Sequence, residues 1–183
     1  LSVNGRLFVQ GNRVLFGLDA YNGAILWSLS APEVRRANVT RDCSNWAAAG
    51  DNVYLAHGRY CLALDGQTGA RAKRFEVVEN TPGAYDWGYV AVTQDWLIGS
   101  RQKAGATYLG DDGEWYEDYA TDQISRVTSD RLFSYDPATS KLKWTYQRGA
   151  VLNSTITFAD GMILFLESRN PAALATNTSR LPH

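Results

Sequence analysis

The chain has 183 residues, 45% of them hydrophobic and 20% charged, enough to bury a core as one domain or a large piece of one. Eighteen basic against nineteen acidic residues leave no basic excess for a nucleic-acid surface and no polybasic run for a membrane surface. The longest apolar run, Met162 to Leu166, is far short of the ~20 residues a spanning helix needs.

The first predicted element is the apolar run Gly5 to Val9, GRLFV. It leads twelve residues later from Leu7 to Asp19, in the stretch GLDAYNGAILW (Gly17 to Trp27). The Asp19 carboxylate can accept backbone N–H groups a few residues on, and Asn22-Gly23 supplies the positive φ that reverses the chain. The same outline returns as Asp51 to Ala56 (DNVYLA) followed by Ala63 to Gly69 (ALDGQTG). It returns again as Gln94 to Ser100 (QDWLIGS) and Ser134 to Trp144 (SYDPATSKLKW), and a last apolar run is Asp160 to Phe165 (DGMILF). Short β-branched and aromatic runs separated by Gly, Asn and Asp read as strand, turn, strand. Trp27 and Trp144 stand at one repeat position, where a large flat side chain suits sheet-on-sheet packing. The second copy has Lys73 there with Phe75 two residues on, so either Phe75 packs through a small bulge or that joint is looser. In the third copy Ser140 replaces the turn glycine, which demands strain or another turn type.

These residues resemble the pyrroloquinoline-quinone-like β-propeller repeat: a small residue, Asp two later, a Thr-Gly-type turn and Trp at the eleventh position. The matches are Gly17, Asp19, Asn22-Gly23 and Trp27, then Ser134, Asp136, Thr139 and Trp144, with a partial match at Ala63, Asp65 and Thr68-Gly69. The resemblance implies an all-β chain, a partial β-propeller of four-stranded antiparallel blades, about three blades plus fragments. The expected extent is residues 1–168, with an insertion in the third blade over about 102–130 and a tail or linker over 169–183. On this count the chain starts at the second strand of one blade and stops after two strands of a fourth. That is too few strands to close a ring, and it reads as a fragment of a larger propeller. Open strand edges at both ends invite self-association, with the strand near Ser154 to Ala159 of one chain completing the first blade of another. The chain opens on Leu1 without a signal-peptide pattern, which also reads as part of a longer polypeptide.

Loops between an outer strand and the next inner strand gather on one propeller face. Three are readable: Arg35 to Asn45, Asn80 to Gly88 and Arg148 to Thr155. They nominate Arg41, Asp42, Asn45, Asp86, Trp87 and Asn153 as ligand-binding candidates, a charged, amide and indole mix suited to a small polar ligand or planar ring. The competing reading has Asp and Asn capping turns, Trp87 packing against Tyr85 or Tyr89, and Arg41 paired with an acid. The insertion is the other candidate surface, because Trp96 to Asp136 spans 40 residues where other copies span 12. Its core offers Trp115, Tyr116 and Tyr119 beside Asp111 and Asp112. Aromatic faces next to carboxylates suit sugars, cations or a partner protein; a hairpin extension covering a neighbouring blade is the plainer alternative.

No nucleophile elbow, phosphate-binding loop or zinc-protease stretch is present, and no catalytic residue is assigned. Cys43, Cys61, His57 and the terminal His183 make a poor zinc set, so no metal site is assigned, and nothing in the spacing asks for a disulfide. Three sequons begin at Asn38, Asn153 and Asn177 and matter only in a eukaryotic secretory pathway. By resemblance alone, pyrroloquinoline quinone and calcium are the family's cofactors, and the family's dehydrogenases usually add an adjacent cysteine pair that this chain lacks. The leading expectation is a non-catalytic binding or scaffold module with a protein partner or small polar ligand. The alternative is a fragment of a quinone- and calcium-dependent dehydrogenase whose site needs further blades. A periplasmic or cell-surface location follows by resemblance.

Overall fold

The structure is a computed structural model that describes residues 1–11, 13–32, 45–79, 84–93, 95–106, 126–175 and 180–181. Three four-stranded antiparallel sheets follow one another along the chain. The first blade orders β1 (Ser2–Val3), β2 (Arg6–Gly11), β3 (Val14–Asp19) and β4 (Ile25–Ser30) from one edge to the other. The second repeats the plan with β5 (Trp46–Ala49), β6 (Asn52–His57), β7 (Tyr60–Asp65) and β8 (Arg71–Glu76). The third holds β9 (Tyr85–Val92), β10 (Leu97–Lys103), β12 (Arg131–Tyr135) and β13 (Leu142–Tyr146).

The Asp turn between the third and fourth strands has one construction throughout. Asp19 Oδ1 accepts the Tyr21 and Asn22 N–H groups, Asp65 Oδ1 those of Gln67 and Thr68, and Asp136 Oδ1 those of Ala138 and Thr139. The turn closes on a positive-φ residue, Gly23 at 73°, Gly69 at 71° and Ser140 at 61°. Ser140 thus keeps the glycine turn and carries its strain, with its N–H on the Asp136 carbonyl at 2.8 Å as in the other copies. Each blade also shifts register in its third-to-fourth strand pairing, at Gly17/Leu18, Ala63/Leu64 and Ser134/Tyr135.

Sequence and structure part at the two ends. Ser2–Val3 supplies the first blade with a short inner strand, paired Ser2 to Leu7 and Val3 to Arg6, so that blade has four strands and not three. At the other end, β15 (Thr157–Ala159) and β16 (Met162–Leu164) form a hairpin. A further sheet, in the order β17-β14-β11-β18, brings together β17 (Glu167–Ser168), β14 (Ala150–Leu152), β11 (Arg126–Ser129) and β18 (Arg180–Leu181). The far end of the insertion, β11, is therefore paired both to the chain after the third blade and to the tail. A one-turn helix α1 (Pro171–Leu174), capped by the Asn170 side chain, leads into that tail.

Packing is local to the joints. Phe8, Leu15 and Trp27 of the first blade meet Val53, Leu55 and Leu64 of the second. Tyr54, Cys61 and Phe75 of the second meet Trp87, Leu97 and Phe133 of the third. Ile98 and Leu132 of the third meet Val151 and Ile156, with Trp96, Trp144, Phe158 and Ile163 packed around them. Face-to-face sheets with apolar interiors at each contact are the propeller plan.

Candidate functional site

The joint between the first two blades contains a groove of about 340 Å³. The end of the first blade's outer strand, Leu29 to Ala31, forms one wall. The turn His57-Gly58-Arg59-Tyr60 with Leu55 and Leu62 forms the other, and Arg71 and Arg74 reach in from β8. Leu62 faces Arg74 across the ladder, and both lie on the side of the sheet turned towards the first blade. The floor is apolar and the rim is made of guanidinium groups.

The Arg74 guanidinium lies 4.4 Å and that of Arg59 5.4 Å from the Tyr60 ring centroid, so both cations are held over one aromatic face or edge. Glu76 approaches both, 3.5 Å from Arg59 and 3.6 Å from Arg74. Arg59 also meets Glu79 at 2.9 Å, at an angle outside hydrogen-bond geometry, and the Glu79 side chain is only 2% exposed. No carboxylate among the described residues is within ion-pair distance of Arg71. The rim thus retains positive charge above an apolar floor, a pairing that suits a chain segment with apolar side chains flanked by carboxylates.

The residues nominated from the sequence are distributed differently. Arg41, Asp42, Trp115, Tyr116, Tyr119, Asp111 and Asp112 lie outside the described residues. Asp86 and Trp87 fall within β9, not in a loop. Trp87 is 2% exposed, meets Phe133 edge-on at 4.8 Å between centroids, and donates its indole N–H to the Tyr89 carbonyl. Asp86 Oδ2 accepts the Gly105 N–H at 2.8 Å. Asn45 is buried at the start of β5, its carbonyl accepting the Ala56 N–H. Asn153 is fully buried in a polar network: its Oδ1 accepts from Ser129 at 2.6 Å and its Nδ2 donates to Gln102 at 3.2 Å. Ser100 continues the network, 2.8 Å from Ser129 and accepting the Tyr89 N–H. Gly88 leaves the room for it, since a Cβ there would lie 2.6 Å from Ser100 Oγ and 3.0 Å from Asn153 Nδ2.

These placements do not fit a quinone with calcium. The candidate indole is core, the candidate amide is spent on a buried network, and no cluster of three His, Cys, Asp or Glu among the described residues could hold a metal ion. Cys61 is a single buried thiol whose ionisation is pushed up by burial. No helix among them is long and apolar enough to cross a membrane.

The groove's own residues were overlooked in the sequence because they converge only through the fold. The available signal was the basic run Arg71 to Arg74, RAKR, on an otherwise balanced chain.

Successive four-stranded antiparallel sheets, joined by an outer-strand Trp or Lys over the next blade's Asp turn, define a β-propeller of pyrroloquinoline-quinone-like repeats. The family model described as outer membrane protein assembly factor BamB matches residues 1–107, and the chain belongs to that family. Comparison with curated proteins gives no match. Among solved structures, the quinohemoprotein alcohol dehydrogenase of Comamonas testosteroni aligns at 18% identity and a TM-score of 0.53, over 81% of this chain and 20% of that one. That of Pseudomonas putida HK5 aligns at 20% and 0.52, over 80% and 20%. A europium-containing methanol dehydrogenase aligns at 17% and 0.51, over 90% and 36%. The chain therefore spans about a fifth to about a third of these proteins, and the likeness is one of fold.

Proposed function

We propose that the chain is a non-catalytic binding and scaffold module, residues 1–168 forming its propeller part and 169–183 its tail. On this reading it takes an acidic, partly apolar segment of a protein partner in the groove between its first two blades. The observation that carries the reading is the arginine rim, Arg59, Arg71 and Arg74, around an apolar floor. The family description, an outer-membrane protein assembly factor, supports a protein partner and a place in the bacterial envelope. The insertion, with Trp115, Tyr116, Tyr119, Asp111 and Asp112, is proposed as a second contact surface.

The test is fluorescence anisotropy with two labelled peptides of equal length, one alternating Glu and Leu, the other Lys and Leu. The acidic peptide should bind, more weakly as salt rises, and R71E with R74E should weaken it at least tenfold without moving the thermal midpoint. Equal binding of both peptides, or binding indifferent to the charge reversal, would remove the groove from the account.

A further inference from the structure

In each blade the outer strand is the last of its sheet among the described residues, and the three open edges are protected unequally. The second blade's β8 reads RAKRFE and carries Arg71, Lys73, Arg74 and Glu76, and the third blade's β13 reads LKWTY and carries Lys143. Charges on an edge strand, lysine above all, keep other chains from pairing with it. The first blade's β4 reads ILWSLS and has none. Setting Asp65 on Asp19 places the two blades 46 residues apart, so Ile25 and Ser28 stand where β8 has the rim residues Arg71 and Arg74. Ile25 is 65% and Leu26 44% exposed.

The open edge of β4 is also held in place and aimed. Trp27 donates its indole N–H to the Gly66 carbonyl at 2.9 Å, which fixes β4 to the second blade. The Ala31 N–H donates to the Arg13 carbonyl at 2.8 Å, so by the alternation of an antiparallel ladder Leu29 and Trp27 also turn their backbone groups to β3. Ser28 and Ser30, the alternate residues, turn N–H and C=O to the open edge. That edge borders the groove, with Leu29 to Ala31 in one wall and Arg71 and Arg74 reaching in from β8. A strand added to β4 extends the first sheet along this opening. Every second side chain of it points to the side of Trp27 and Leu29, where the arginines stand.

We propose that β4 is a strand-addition site, at which an acidic segment of a partner protein binds in extended form. Its backbone pairs with Ser28 and Ser30, and its carboxylates face Arg71 and Arg74. This mode of binding rests on the acidic occupant proposed for the groove and adds how that occupant is held. Main-chain hydrogen bonds give a strand-addition site its affinity, and alternate side chains give it selectivity. Here the uncharged edge supplies the first and the arginine rim the second.

The experiment measures anisotropy of the labelled Glu-Leu peptide and of two forms of it, N-methylated at every Glu or at every Leu. A strand on β4 turns the amides of every second residue to its partner, so at least one methylated form should bind at least tenfold more weakly. S28P removes a donor from the open edge and none from the pairing with β3, and should weaken the unmethylated peptide at least tenfold. S28A, which keeps the backbone donor, should leave binding unchanged. The methylated peptides need no variant, so they decide even where S28P lowers the thermal midpoint. Acidic-peptide binding indifferent to both methylations overturns strand addition and leaves the arginine rim standing. Binding that is lost on methylation but is equal for the Lys-Leu peptide and for R71E with R74E keeps the strand pairing and overturns the acidic occupant. No binding of either peptide overturns both. A parent that light scattering finds dimeric, and that S28P makes monomeric, also overturns the proposal, because the edge then takes a second copy.

Discussion

Lys73 repeats towards Pro137 what Trp27 does towards Gly66. The Lys73 Nζ donates to the Pro137 carbonyl at 2.8 Å and also to that of Ala138, at the residue following the turn aspartate of the next blade. The position that breaks the Trp pattern therefore keeps the hydrogen bond and changes only the group that makes it. Phe75 fills the apolar part of the joint, buried against Tyr54 and Tyr135 at 6.3 and 5.6 Å between ring centroids. Replacing Lys73 with Met keeps the stem and leaves both carbonyls without this donor. The expected cost is about 1–2 kcal/mol, read from the urea midpoint. A neutral K73M would mean that solvent replaces the ammonium without loss.

Ser140 holds a φ of 61° at the turn position where the other blades have glycine. A left-handed backbone costs a residue with a Cβ about 1–2 kcal/mol, and glycine avoids the clash. S140G should therefore stabilise the chain by about 1 kcal/mol, net of the glycine's greater freedom when unfolded. Equilibrium denaturation checks it, and a destabilised S140G would show that the strain is relieved elsewhere in the turn.

Asn153 joins β10, β11 and the turn after β14 through Gln102 and Ser129, all buried. N153L removes the amide and takes one hydrogen-bond partner from each of Ser129 and Gln102, while Ser129 keeps Ser100. The expected loss is about 1–3 kcal/mol, since a buried polar group that loses a partner is not compensated by water. Loss of the last sheet's amide protection in hydrogen exchange, with the first two blades unchanged, would locate the effect. A variant as stable as the parent would make the network dispensable.

The turn aspartates also set an acid response. Hydrogen bonds from Thr68 hold Asp65 below the usual carboxylate range, and those from Thr139 and Ala138 do the same for Asp136. A carboxylate whose folded pKa is depressed contributes stability above its unfolded pKa of about 3.9 and loses it as pH falls through the folded value. The thermal midpoint of the parent should fall as pH drops from about 4 towards 2. D65N with D136N should be less stable at neutral pH and should flatten that fall. An unchanged acid slope would assign the pH response to other groups.

Much of the propeller was legible because its signals are local. Asp19, Asp65 and Asp136 each bond amides two and three residues on, so the turn and the strands flanking it are written within about a dozen positions. Where one side chain's meaning depends on distant chain, the reading failed. Asp86 and Trp87 follow Pro82-Gly83 and look like loop, yet the chain is already extended at Tyr85 and buries the indole against Phe133. Ser2–Val3 is too short to carry a period, and β11 pairs with β14 and β18 across long stretches of sequence. The groove has the same origin: the Arg59 turn and Arg74 are brought together by strand pairing within the second blade, and Leu29 to Ala31 meets them only once the first two blades pack.

Cys61 lies at the centre of the second blade with no exposed surface, its thiol held in the unreactive protonated form by burial. Alkylation there must wait until the blade opens. In a C43S background, labelling of this one sulfur becomes a clock for the second blade, its rate at saturating reagent being the opening rate itself.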